Sequence, residues 1–164
     1  MKKILTLIIA LFTCFGAYAQ FEKGKKYIGA SLSSLDISHN DINELNAKFS
    51  LNAGYFVDKD FMLRGTVGYG YENKNHEVKL GLNARYYFDR NGIFIGTGGE
   101  CSWRNNVGWR KHGKWLLNVP VELGYAFFIN RHVTIEPALN YNFCLNEYKY
   151  YSGIGFKVGF GVYF

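Results

Sequence analysis

Proline and methionine are scarce in this chain of 164 residues, at 2 each. After residue 20 no segment spaces its apolar residues at i, i+3, i+4 and i+7, so nothing in it reads as an amphipathic helix. Charge is ordinary at 20% and hydrophobic residues make up 48%, which together exclude a disordered chain, a collagen and a coiled coil. What is abundant is aromatic: 13 Tyr, 14 Phe and 3 Trp make up 18% of the residues, beside 19 Gly. That mixture favours strands over helices. The formal charge of +6 would permit a nucleic-acid partner, but the N-terminus argues for export and against that partner.

Met1–Ala19 has the layout of a secretory signal peptide: Lys2 and Lys3, an apolar core from Ile4 to Phe12, and Ala17-Tyr18-Ala19 as a small-x-small cleavage site. The apolar run is about half the roughly 20 residues that a membrane-spanning helix needs. A lipid anchor on Cys14 is disfavoured, because Thr13 precedes it where a smaller residue is expected. Residues 20–164 then form one domain.

Within that domain the dominant period is two. Leu45, Ala47, Phe49, Leu51, Ala53, Tyr55 and Val57 share one face, with Asn46, Lys48, Ser50, Asn52 and Gly54 on the other. The alternation recurs around residues 63–72, 78–88, 93–100, 117–125, 133–143 and 153–164, and with a first strand near Tyr27 to Leu35 the count is eight. Connections alternate as well. Tight turns at Asp58-Lys59-Asp60, Asp89-Arg90-Asn91-Gly92 and Asn130-Arg131-His132 separate looser loops over 36–44, 73–76, 104–114 and 146–149. Short turns on one side and longer loops on the other are the layout of a transmembrane barrel, with both termini in the periplasm.

Alternation does not say which face meets water, and an exported lipocalin-like barrel would turn its apolar face inward around a hydrophobic ligand. Lipid is favoured by strand lengths near the 9 to 11 residues of a tilted crossing. A glycine-rich polar face suits a lumen just wide enough for side chains, and aromatics such as Tyr69, Tyr71, Tyr86, Phe88, Trp103, Tyr125, Phe127, Tyr141 and Phe143 crowd the strand ends. The expected fold is therefore all-β, a closed eight-stranded antiparallel up-and-down transmembrane β-barrel. Pro120 and Pro137 each remove a ladder donor, so a bulge or weak pairing is expected at both.

The C-terminal run Lys157-x-Gly159-x-x-Val162-x-Phe164 resembles the assembly signal of bacterial outer-membrane barrels. The whole domain is similar in pattern to the small eight-stranded outer-membrane barrels, the family of OmpX and the OmpA membrane domain. That resemblance implies an outer-membrane location, insertion by the barrel-assembly machinery, contact with outer-membrane lipids including lipopolysaccharide, a monomeric state and no cofactor. Val162 departs from the pattern, since an aromatic is commoner there.

By parity the inward charges are Lys48, Arg64, Lys79, Arg85 and Lys157 against Glu72, Glu77, Glu100, Glu122 and Glu136. Arg64 and Arg85 are placed facing each other on neighbouring strands near the short-turn end, and the expectation is that Glu122 and Glu136 hold them together, with Lys157 joining. Such a lumen is plugged. In the loop before strand six, Arg104, Arg110, Lys111 and Lys114 lie among Trp103, Trp109 and Trp115 with no acid between Cys101 and Val121, a composition suited to lipopolysaccharide phosphates.

A catalytic reading is thin. His39, His76, His112 and His132 all fall in loops or turns, and the adjacent Ser38 and His39 would converge as nucleophile and base only if the loop turned both to one side. Some eight-stranded outer-membrane barrels modify lipid A, so that activity stands as the enzymatic alternative to a structural or surface-interaction role. The acids have no metal-ligand spacing, and Asp58, Asp60 and Asp89 read as turn formers. Cys101 and Cys144 are expected to stay unpaired, being about 10 Å apart with a strand between them.

Overall fold

A computed structural model describes residues 21–36, 47–72, 75–88, 91–105, 113–146 and 152–164. The expected signal peptide, Met1–Ala19, lies outside them. Strands β1 (Lys26–Asp36), β2 (Ala47–Asp58), β3 (Phe61–Glu72), β4 (Asn75–Tyr87), β5 (Ile93–Asn105), β6 (Lys114–Tyr125), β7 (Phe127–Phe128), β8 (Val133–Cys144) and β9 (Gly153–Tyr163) form one antiparallel sheet. The two-residue β7 continues β6 past Ala126, so the chain makes eight crossings.

β1 pairs with β2 on one side and with β9 on the other, which closes the sheet. The last residue takes part, since Lys26 and Phe164 exchange both backbone hydrogen bonds, at 2.7 and 3.0 Å. Closure has a definite stagger. From Tyr55 the register runs through Leu63, Ala84, Thr97, Val121 and Tyr141 to Ile154. In the other direction it runs through Lys26 to Phe164, so the two paths meet β9 at Ile154 and Phe164, ten residues apart. With about 3.3 Å per residue and about 4.7 Å between strands, that shear tilts the strands by about 41° and sets a backbone radius of about 8 Å. At such a tilt a strand of 12 residues rises roughly 30 Å, the thickness of a bilayer's hydrocarbon core.

The two faces of the wall differ as the alternation requires. Outward lie Ile28, Leu51, Leu63, Val67, Leu80, Leu123, Leu139, Phe156 and Phe160, all exposed, with Leu82 midway along β4 the most so at 77%. Tyr69, Tyr71, Tyr86, Phe88, Trp103, Trp115 and Phe143 are exposed towards the strand ends, where aromatic girdles belong. Inward lie Arg64, Arg85, Glu100, Glu122 and Glu136, all buried. This is a soluble protein turned inside out, and it corrects the lipocalin-like alternative: the space between the inward polar groups is about 100 Å3, too small and too charged for a hydrophobic ligand.

The prolines do not make bulges. Opposite Pro120 the β5–β6 ladder passes from Thr97↔Val121 to Glu100↔Asn118 with the register unchanged, so Gly98 and Gly99 go unpaired there. Pro137 keeps its place against Val158 of β9. On its other side lies the break between β6 and β7, where the Ala126 amide donates to the Gly92 carbonyl at 2.8 Å. A residue without an N–H is thus placed where the neighbouring strand does not ask for one. The register shifts occur elsewhere, between Ser33 and Leu35 and between Phe56 and Asp58.

The gap opposite Pro120 yields a paired test of the inside-out wall. A Cβ on inward Gly98 would meet the Leu82 carbonyl and lie 2.6 Å from the Asn83 Cα, whereas one on outward Gly99 meets nothing within 4 Å. In urea titrations of the protein in lipid vesicles, Gly98→Ala lowers stability by about 1–3 kcal/mol. Gly99→Ala stays within about 0.5 kcal/mol of the parent.

Candidate functional site

The lumen is built in layers. At the end carrying the termini, Phe21, Phe56, Met62, Tyr87, Phe94, Phe128 and Tyr163 form a buried, largely aromatic floor inside the barrel. This floor was missed by the alternation argument, although the chain marks it. Phe61-Met62-Leu63, Tyr86-Tyr87-Phe88 and Phe127-Phe128 are apolar at consecutive positions, and consecutive residues of a strand point to opposite faces. Where both faces are apolar, the inside of the barrel is apolar too.

Above the floor sits the charge cluster, and it joins all five of the residues expected there. Arg85 bridges the two carboxylates, donating from Nε to Glu122 Oε1 at 3.0 Å and from a terminal nitrogen to Glu136 Oε2 at 2.7 Å. Arg64 reaches the same Glu122 oxygen at 2.9 Å, and Lys157 takes its second oxygen. Arg64 and Arg85 do not face each other, a correction to the expected register. Arg64 stands opposite Asn83 and Arg85 opposite Met62, a stagger of two residues that lets both guanidiniums converge on one carboxylate of β6. The two arginines are counted from different turns, Arg64 from the one before β3 and Arg85 from the one after β4, and equal counts from those turns do not place them opposite each other.

Glu136 is satisfied from every side. Besides Arg85 it accepts from the Tyr27 hydroxyl at 3.0 Å, the Tyr163 hydroxyl at 2.8 Å and Thr134 Oγ1 at 2.9 Å. Tyr87 bonds Tyr163 at 3.0 Å and accepts from Arg85 at 3.1 Å. Arg85 also lies over the Phe94 ring, 3.8 Å from its centroid, so its cation is held by two carboxylates and by an aromatic face. Space for these acids comes from glycine. A Cβ at Gly96 would stand 2.6 Å from Glu122 Oε1, and one at Gly161 would stand 2.6 Å from Glu136 Oε1.

Towards the loop end the lumen is filled by neutral polar pairs and two further ion pairs. Ser31 and Ser50 bond at 2.7 Å, Thr66 donates to Asn52 at 2.9 Å, and Asn83 donates to Thr66 at 3.0 Å and to Glu100 at 3.3 Å. Lys79 closes on Glu100 at 3.1 Å, and Arg104 on Glu77 at 3.4 Å. Arg104 therefore turns inward to an acid of β4, away from the outer surface where a lipopolysaccharide contact would place it. Lys114 and Trp115 open β6 in exposed positions, with Trp115 opposite Trp103 across the ladder. Trp109, Arg110 and Lys111 lie outside the described residues.

The remaining expected sites divide by face. In the C-terminal run, Lys157 and Gly159 point inward, whereas Val162 and Phe164 are exposed on the outer wall. Cys101 is exposed and Cys144 is buried, and both are free thiols. His76 is on the outer wall beside Tyr69 and Tyr71, and His132 is exposed in a turn. Ser38, His39 and His112 lie outside the described residues. Among the described residues no three His, Cys, Asp or Glu side chains are grouped to hold a metal ion.

A family model described as outer membrane protein beta-barrel domain matches residues 5–164. The chain belongs to this family. Members of the outer-membrane β-barrel family sit in the bacterial outer membrane, and so does this barrel, with the apolar wall just described against lipid. No curated protein matches it in sequence. Its fold is similar to that of the N-terminal β-barrel domain of Pseudomonas aeruginosa OprF, with a TM-score of 0.70 at 16% identity over 87% of this chain and 98% of that one. It is also similar to Neisserial surface protein A, with a TM-score of 0.57 at 15% identity over 84% and 94% of the two chains. Ail of Yersinia pestis, solved in a phospholipid bilayer nanodisc, is similar at a TM-score of 0.56 and 10% identity over 87% and 100%.

For this outer-membrane barrel the cluster makes a stability prediction. Glu136→Gln leaves Arg85 buried with an incomplete set of anionic partners, and denaturant unfolding in lipid vesicles should show a loss of about 3–5 kcal/mol. Lys79→Gln removes a pair whose lysine is 31% exposed and should cost less than about 1 kcal/mol.

Proposed function

We propose that the protein is a closed, non-conducting, monomeric barrel with a structural or surface-interaction role in the outer membrane, and that it is not an enzyme. One observation carries the reading: Arg64, Arg85 and Lys157 all converge on Glu122 inside a lumen of about 8 Å backbone radius. Long side chains crossing so narrow a space from β3, β4 and β9 to β6 leave no continuous path for a hydrated ion. Beneath them the aromatic floor fills the remaining cross-section.

An arrangement of this kind favours a wall element over a transporter or a catalyst. Its chemistry is spent inward on mutual neutralisation, and the described outer wall is dominated by apolar and aromatic groups. Interaction with the cell's surroundings then falls to the loops that join the strands at the end away from the termini. Purified protein in planar lipid bilayers tests this. The expected record stays at the lipid baseline, and liposomes carrying the protein do not swell in small sugars. Long-lived conductance steps together with sugar uptake would overturn the closed-barrel reading.

A further inference from the structure

Phe21 belongs to no strand, yet its ring is 1% exposed inside the barrel mouth at the end carrying the termini. It stacks on Tyr87 with centroids 4.1 Å apart and rings inclined by 19°. Its edges meet Phe128 at 5.6 Å and Tyr163 at 5.8 Å, and Phe56 stands at 6.0 Å. The ring is held by a strap. The Asp60 amide donates to the Phe21 carbonyl at 2.8 Å, the Gly24 amide to the Phe56 carbonyl at 2.9 Å, and the Phe56 amide to the Lys25 carbonyl at 2.9 Å. Gly24, at φ +91, turns the chain from this strap into β1, a conformation that glycine adopts without strain.

Every other ring of the floor comes from a strand and keeps its place through the ladder. Phe21 alone among the rings of that cluster arrives from outside, and it fills the middle of a well whose sides are Phe56, Tyr87, Phe128 and Tyr163. Directly behind those rings are the Tyr27 and Tyr163 hydroxyls on Glu136, and Arg85 behind them. Water admitted to that point would compete for each of those bonds, and ion pairs strengthen where water is excluded.

We propose that Phe21 is a stopper: the strap at residues 21–25 seats one aromatic ring in the barrel mouth, sealing it and keeping the Arg85–Glu136 layer dry. This goes beyond a lumen blocked by ion pairs, and it rests on that reading in taking the lumen as closed. The barrel then has two barriers in series, one of charges supplied by the strands and one apolar ring supplied by the strap.

Thiol labelling tests the seal. Thr134, fully buried beside Glu136 and opposite Phe128, is changed to cysteine in a chain whose native cysteines are all serine. The probe is a small cationic methanethiosulfonate, and Lys59→Cys in the exposed β2–β3 turn gives the reference rate. With Phe21 present, Thr134→Cys should react roughly a hundredfold slower than the reference, as expected of a site that opens only by local unfolding. Phe21→Ala should bring it to within about tenfold of the reference, whereas Phe21→Trp should keep it slow. Heat-modifiable gel mobility confirms the barrel in each variant, and Phe21→Leu takes the place of Phe21→Ala should the latter not fold. Labelling of Thr134→Cys at the reference rate with Phe21 in place would overturn the proposal, as would equal slow rates with and without the ring. Conductance is read separately. A chain that labels fast but does not conduct has lost the stopper and kept the closed lumen, whereas a chain that conducts contradicts the closed lumen itself.

Discussion

Hydrocarbon offers no partner to a backbone amide or carbonyl, and the rest of this structure follows from that constraint. Each unpaired group left in lipid costs several kcal/mol, so a strand edge facing the membrane is not tolerated and the sheet has to close. The exchange of hydrogen bonds between Lys26 and Phe164 completes that closure at the terminal end. The two prolines sit where the ladder is interrupted, Pro120 opposite the unpaired Gly98 and Gly99 and Pro137 beside the break between β6 and β7.

Closure over eight crossings with a stagger of ten residues then fixes the lumen, and the lumen dictates what the inward residues are. A radius of about 8 Å leaves side chains no choice but to meet across the middle. Charges so placed are stable only when mutually satisfied, since a buried ion without partners costs more than its burial returns. Hence Glu122 gathers three cations from three strands, and Glu136 gathers three hydroxyls and a guanidinium. Where a carboxylate needs room, the facing residue is Gly96 or Gly161. The glycine-rich character of the inward face is thus a packing requirement set by the acids, as much as by the narrowness of the barrel.

Much of this was legible in the residues, because the strongest constraint leaves the plainest trace. Alternation of apolar and polar residues gave the crossings, the turn chemistry marked their ends, and parity gave ten inward charges, from which height above the short turns singled out the five members of the cluster. Relative height was harder to read. Arg64 and Arg85 are each counted from a different short turn, so their stagger depends on the pairing of β3 with β4, which no local pattern records. Arg104 looked like part of an outward basic loop because its partner, Glu77, is distant in sequence. The aromatic floor was written in the chain as runs of adjacent apolar residues, but a search for alternation passes over the places where alternation stops. Phe21 had no such trace, since a ring on a strap owes its position to tertiary packing alone.

Acyl chains, on this reading of the wall, wet the face bearing Leu82 and its neighbours. The most direct measurement places a fluorophore there: Leu82→Trp in a chain whose native tryptophans are phenylalanine, reconstituted in vesicles of lipids brominated at different depths. Quenching is expected to be strongest by bromines deep in the hydrocarbon and weak by acrylamide in the water. Efficient quenching by acrylamide with no response to bromine at any depth would contradict that reading of the wall.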